Sequence, residues 1–410
     1  MSKFYNIEST TAKLFENRVE LLPSVTELFE YELAYLEYKT LLKKEYLERT
    51  AYAKSFDNKD SIHFLRYSEI SKSVSENRSA MTNSYFKNGL FSTGYATHSL
   101  FPYRGKFHPQ LIKGLINILG IKKGETILDP MAGSGTTNVE AALMGINSFA
   151  IDISPFCQLM TKTKYEALSI NLKLLQQTKL NSDELFEFFN KGNVDKKLGK
   201  VDIEKQKIYD LVLLAFLDAL GYSKRVVRSN HKQLFEKVLT RYIETVKDFL
   251  QNKYFDGSIG KVEILEKSNA LKIGLDDNFV DGIITSPPYS FAIDYVDNDE
   301  DQLEYLGYDT NELRRNLIGL KGKGKKEKLE IYFNDMDTFC GEAARVLKKN
   351  KFLVVIIGSN TNQTGGIRLE ETVINSAKNY NLQLVKSILK PIKGMRNTMR
   401  EEYILIFEKQ

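Results

Sequence analysis

An α/β fold built on a doubly wound, largely parallel sheet is predicted by three features of the 410-residue sequence. Seven short runs rich in β-branched and aromatic residues follow residue 120, helical patterns separate several of them, and two of the runs end in unusual turns. Strands alternating with helices predict such a sheet, whose ligands gather at the carboxyl ends of its strands. In order the runs are "ETILDP", "SFAIDIS", "KVEILEK", "DGIITS", "KFLVVIIGS", "LQLVKSIL" and "EYILIFEK".

Before the first run, residues 1–85 read as a helical extension. "VTELFEYELAYLEYKTLLKKEYLERTAYA" places apolar residues three and four apart among charges, the spacing of an amphipathic helix. Residues 166–258 interrupt the strand rhythm with long helical patterns such as "IYDLVLLAFLDALG" and "KQLFEKVLTRYIETVKDFLQ". They form a helical insertion between the second and third strands, which leaves 86–165 and 259–410 as the sheet-bearing domain. "KGKGKKEK", residues 321–328, reads by composition as a mobile basic loop.

Composition narrows the classes of function. Hydrophobic content of 42% and charged content of 27% fit a globular chain with a sizeable core. A net charge of +5 permits a polyanionic partner without requiring one. Cys157 and Cys340 form no disulfide or metal-ligand spacing, so no metal site is predicted and a reducing compartment is expected. The start of the chain lacks a signal-peptide core, and no run reaches the roughly 18 apolar residues of a membrane span. A cytoplasmic location without membrane association is the expectation.

The first strand ends at Asp129 and Pro130 and runs into Ala132, Gly133, Ser134 and Gly135, with Thr136 and Thr137 opening a helix. Glycines at such a turn let a ligand approach the backbone, and the helix start presents unpaired N–H groups. The spacing is not G-x-G-x-x-G, and no lysine follows to grip a triphosphate. Asp152 ends the second strand, where a carboxylate accepts from two ribose hydroxyls. The fourth strand stops on Ser286, Pro287, Pro288 and Tyr289. Proline has no N–H for the ladder, so the chain leaves the sheet there with a hydroxyl, free carbonyls and an aromatic face at the rim. That set suits a flat ring bearing an amino group.

"DPMAGSGTT", "AIDIS" and "TSPPY" together resemble the S-adenosylmethionine-dependent amino-methyltransferases of DNA, which modify cytosine N4 or adenine N6. "FPYRGKFHPQL", "KSNALKIGLDDNFVDGIITSPPY", "AIDYVDNDEDQLEYLG" and "GMRNTMREEYILIFEK" extend the resemblance through most of 95–165 and 260–410. It implies a Rossmann-like, seven-stranded methyltransferase sheet with S-adenosylmethionine as cofactor. Gly133, Ser134 and Gly135 would wrap that cofactor, as part of a loop that includes Asp129 and Ala132. Phe107, His108, Thr136 and Thr137 would lie near its methionine portion, and Asp152 would bind its ribose. Asn269 stands where the family usually has an aspartate facing the cofactor's adenine amino group. Ser286 and the Pro287 carbonyl would accept from the target amino group, with Pro288 stiffening the loop and Tyr289 stacking on the base.

Serine at the head of the catalytic loop favours cytosine N4, with adenine N6 the alternative. An RNA guanine-N2 methyltransferase and a silent nucleic-acid binder are more distant readings. The expected partner is double-stranded DNA, with a restriction endonuclease as a possible companion, and the base must be flipped out of the duplex to reach the sheet rim. Phosphate and base-edge contacts are expected from Lys224, Arg225, Arg228, Asn230 and His231 in the insertion and from Lys321, Lys323, Lys325 and Lys326. The N-terminal helices would support the duplex or serve dimerisation or partner binding.

Overall fold

The computed structural model describes residues 13–16, 18–66, 94–103, 105–194, 202–225, 230–255, 257–288, 294–358, 364, 366–392 and 401–410. Near the amino terminus lie β1 (Val19–Leu21), α1 (Leu28–Thr40), α2 (Lys43–Arg49), β2 (Ala53–Phe56) and β3 (Lys59–Asp60). The two helices match the apolar spacing. The three strands are an addition to the expected helical extension, forming a small antiparallel sheet in the order β1-β2-β3. Asp57 and Asn58, both with positive φ of 48° and 62°, make the tight turn between β2 and β3, the geometry that suits a two-residue hairpin.

The main body begins with α3 (Pro109–Ile118), β4 (Thr126–Asp129), α4 (Thr136–Leu143), β5 (Asn147–Ala150) and α5 (Pro155–Glu166). The insertion follows as α6 (Leu172–Thr178), α7 (Ser182–Asn190), α8 (Ile203–Arg225) and α9 (His231–Leu250). Its Phe186, Phe189, Phe216 and Phe235 pack in one core with Phe156 and Met160 of α5 and with Val296 and Leu303 beyond the fourth strand. The insertion is therefore seated against the carboxyl ends of the sheet.

The chain then forms β6 (Val262–Ile264), β7 (Val280–Thr285), α10 (Tyr295–Asn298), α11 (Glu300–Tyr305) and α12 (Thr310–Asn316). It ends with α13 (Gly324–Val346), β8 (Leu347–Gly358), α14 (Leu369–Lys378), β9 (Leu382–Pro391) and β10 (Glu401–Lys409). All seven strand-like runs are strands of one sheet, ordered β6-β5-β4-β7-β8-β10-β9. The strands from β6 to β8 pair in parallel, and β10 runs antiparallel to both β8 and β9. The sequence of connections reverses direction between β4 and β7, so the crevice at their carboxyl ends is the switch point where an α/β sheet takes its ligand. β7 is buried along its whole length, as its apolar run requires.

"KGKGKKEK" is not a mobile loop. Gly324 starts α13, and the backbone N–H of Lys323 donates to the Glu327 carboxylate at 2.7 Å. A carboxylate in the first helical turn satisfies an orphan donor and complements the helix dipole. Lys321 is held separately, in an ion pair 2.9 Å from Asp335.

Candidate active site

The glycine turn after β4 and the Ser-Pro-Pro turn after β7 face each other across one cleft. Its wall includes Ala132, Gly133, Ser134 and Thr136 from the first turn, Asp152 after β5, and Ser286 and Pro288 from the second. With its mouth and the open solvent there included, the cleft spans about 810 Å³.

Local geometry explains the glycines. Gly135 caps α4 in the left-handed region at φ 73°, and a Cβ there would fall 2.7 Å from the Thr161 side chain. Gly133 lies at φ 51°, where a Cβ would point to Tyr103 at 3.6 Å. The Asp152 carboxylate accepts from the Gly133 N–H and from the Ser154 N–H, each at 2.8 Å. It fixes the loop while standing in the cleft wall. Burial pushes this carboxyl up to about 6, against the pull of those two N–H donors. Below the loop, the buried Lys164 amine donates to the Ser134 carbonyl at 3.2 Å.

Not every expected residue reaches the cleft. Phe107 lines it, whereas His108 sits at the N-cap of α3, where burial and the nearby Lys390 and Lys106 lower its imidazole to about 4. Thr137 is buried in the first turn of α4 and is not part of the wall. Asp129 is also buried and turned toward β7: its Oδ1 accepts from the Thr285 hydroxyl at 2.7 Å and from the Met131 N–H at 3.2 Å. Asn269 is not among the cleft-lining residues; its side-chain oxygen accepts from the Leu271 N–H at 2.9 Å in an exposed turn after β6. Pro287 is buried between two cleft-lining neighbours. Tyr289 and Arg228 lie outside the described residues, as do the side chains of Lys224 and Arg225.

Two base-edge candidates also make contacts within the fold. The Asn230 side chain caps α9 by accepting from the Gln233 N–H at 3.3 Å. His231 packs against the rings of Phe186 and Phe216, with centroids 5.2 and 4.8 Å away. Lys323, Lys325 and Lys326 remain exposed at the start of α13.

The cleft also has members that were not singled out from the sequence. Tyr103 and Lys106 precede α3, Cys157 belongs to α5, and Tyr295 and Asp299 follow the Ser-Pro-Pro turn. Four of these five lie inside the quoted segments flanking the two turns, which was the available signal. Lys106 donates to the His98 carbonyl at 3.0 Å, and burial lowers its amine to about 8. Burial raises the Cys157 thiol well above its ordinary value, which keeps it protonated and unreactive. Asp152 and Asp299 on one hand and Lys106 on the other thus bring opposite charges to a wall that also carries apolar groups. A nucleoside with a diol and a zwitterionic tail fits this donor set.

Residues 280–410 match a DNA methylase family model, and residues 99–195 match an RMKL-like methyltransferase domain. The two matched segments are similar to S-adenosylmethionine-dependent amino-methyltransferases of the N4/N6 family. Among similar proteins, the type II methyltransferase M.BsoBI of Geobacillus stearothermophilus is 26% identical, the match covering 62% of this chain and 63% of that one, so the chain spans less than two thirds of this relative's length. The type II methyltransferase M.MvaI of Kocuria varians is 22% identical over 80% of this chain and 90% of its own. A shorter match, 42% identical, links 13% of the chain to 16% of a tRNA (guanine(10)-N2)-dimethyltransferase of Methanothermobacter thermautotrophicus.

Proposed function

We propose that this amino-methyltransferase acts on double-stranded DNA, transferring a methyl group to the exocyclic amine of a flipped base, with cytosine N4 as the favoured position. The observation that carries the reading is the shared cleft of Ser286, Pro288, Gly133 and Asp152. An acceptor for the amine and a cradle for the donor occur in one pocket, so two reactants are held in register.

The glycine turn would hold the cofactor through its backbone, with Asp152 on the ribose and Phe107 and Thr136 toward the methionine end. S-adenosylmethionine, when bound, supplies an electrophilic methyl group. The Ser286 hydroxyl and the Pro287 carbonyl would accept the two amino hydrogens of the base. That contact draws the nitrogen lone pair out of ring conjugation and aims it at the methyl carbon. Serine at this position supports N4 over adenine N6. Lys323, Lys325 and Lys326, exposed at the head of α13, are the proposed phosphate contacts, with Lys224, Arg225 and Arg228 as further candidates.

We assign residues 1–85 to a supporting extension, 86–165 with 259–410 to the catalytic domain, and 166–258 to a target-recognition insertion. Likeness to type II methyltransferases supports a restriction-modification setting in the cytoplasm, with an endonuclease as companion. Among the described residues no helix is long and apolar enough to cross a membrane.

The short match to a tRNA enzyme favours a second reading, methylation of guanine N2 in RNA. Nucleoside mass spectrometry after incubation with S-adenosylmethionine and either unmethylated DNA or tRNA separates the two. N4-methylcytosine supports the proposal, N6-methyladenine changes the base, and N2-methylguanine in tRNA alone overturns the DNA assignment.

A further inference from the structure

A second cavity lies between the N-terminal segment and the amino-terminal end of the sheet, and shares no wall residue with the cleft described above. It spans about 1390 Å³ with its mouth and the open solvent there included. Arg49, Arg66, Lys113, Lys122 and Lys123 line it, against the carboxylates of Glu45, Glu48 and Glu140. Five cations and three carboxylates line the wall, and behind it the fully buried Glu37 also acts on Lys113 and Arg49.

The inner cations are hydrogen-bonded mainly to neutral groups. Lys113 is only 6% exposed, and its amine meets the neutral ring of His63 at 3.0 Å. Glu140, the buried acid of this wall, is already engaged by His98 at 2.7 Å. Arg49 donates to the Asn117 side-chain oxygen at 3.1 Å and to the Ile121 carbonyl at 2.6 Å. Arg66 donates to the Tyr254 carbonyl at 2.9 Å, while its buried Nε–H has no partner. Burial and the nearby Arg66 and Arg49 hold the Lys113 amine below the usual lysine range. Buried cations without hydrogen-bonded carboxylates are costly, and an anion that accepts from them relieves the cost.

We propose that this cavity is an anion site that takes a phosphate group, bound by Lys113 and Arg66 within and by Lys122 and Lys123 at the mouth. Phosphate offers several strong acceptor oxygens, which matches a guanidinium and an ammonium converging from different elements. The cavity lies at the end of the sheet opposite the Ser-Pro-Pro turn, away from the cleft where the proposed function places the target base. A free phosphate-bearing small molecule is therefore favoured over a nucleic-acid backbone as the source.

Calorimetric titration of the full chain with inorganic phosphate at constant ionic strength tests the site. Saturable binding is expected, weakened about tenfold by Arg66→Gln. Lys123→Gln, an exposed change that leaves the fold intact, should weaken it in the same direction. Neither variant should alter S-adenosylhomocysteine binding at the separate cleft. Failure of a duplex oligonucleotide to displace the phosphate supports a small-molecule source, whereas displacement assigns the site to a backbone phosphate. Absence of saturable phosphate binding, or equal affinity in wild type and both variants, overturns the proposal.

Discussion

Thr285, the last residue of β7, donates its hydroxyl to Asp129, the last residue of β4, across 2.7 Å. Both side chains are buried. One hydrogen bond therefore joins the strand ends that launch the cofactor turn and the Ser-Pro-Pro turn, and fixes their relative height at the switch point. Thr285→Val keeps the shape of the side chain but leaves the Asp129 oxygen without that donor, a loss of about 1–3 kcal/mol of stability. Displacement of Ser286 by a fraction of an ångström should lower kcat, by up to about 10²-fold, while cofactor affinity stays near that of the wild type. Thr285→Ser should restore both. Steady-state kinetics with a parallel cofactor titration checks this, and an equal loss of cofactor affinity would contradict the positioning role.

The same pair predicts a pH effect on stability. Burial raises the Asp129 carboxyl from 3.8 to about 6 despite the Thr285 and Met131 donors, so folding favours its protonated form. Its contribution is fully present below about pH 4 and is lost as pH rises through about 6, a change of roughly 3 kcal/mol. Asp129→Asn should flatten this group's share of the pH dependence between 4 and 6. Comparison of Tm against pH for the two proteins tests the sign: an unchanged slope would mean that Asp129 is not the titrating group.

Much of this arrangement was legible in the sequence. The seven strands were readable because each is short, β-rich and bounded by turn residues. The two turns were readable because glycine and proline mark backbone geometry directly. What escaped depended on side chains finding local partners. Glu327 turns a lysine-rich stretch into a helix start by accepting from Lys323, and composition hides that bond. The Asn269 and Asn230 side-chain oxygens close a turn and cap a helix nearby, local bonds that short polar side chains often make and that residue type alone does not announce. The β2–β3 hairpin was masked by the helical spacing on its amino-terminal side, although its Asp-Asn turn was a visible signal.

Gly135 tests whether the cradle tolerates any side chain. Alanine there would hold a left-handed φ of 73° and bring its methyl group against Thr161. The backbone strain alone costs about 1–2 kcal/mol. Relief of the clash would shift α5 or the turn itself, so Gly135→Ala should lower both Tm and cofactor affinity. Adding Thr161→Ala removes the clash but not the strain, and should recover only part of the loss in calorimetry and thermal melts. Full recovery would assign the whole effect to crowding.

Ser286 and Asp152 line one cleft but contact different partners, and their variants should separate binding from transfer. Asp152 accepts from Gly133 and Ser154, so Asp152→Ala loosens the turn and removes the acceptor proposed for the ribose. Cofactor affinity should fall by about 10–100-fold, from the loss of charge-assisted hydrogen bonds. Ser286 stands on the other side of the cleft, after β7, with no part in the hydrogen bonds that shape the glycine turn. Ser286→Ala should leave cofactor affinity within about twofold and reduce methyl transfer by about 10²-fold or more, as expected when a group acting on the transition state is removed. Single-turnover transfer measured alongside cofactor titration distinguishes the two. Equal loss of cofactor affinity in both variants would show that the serine shapes the cradle and does not receive the target amine.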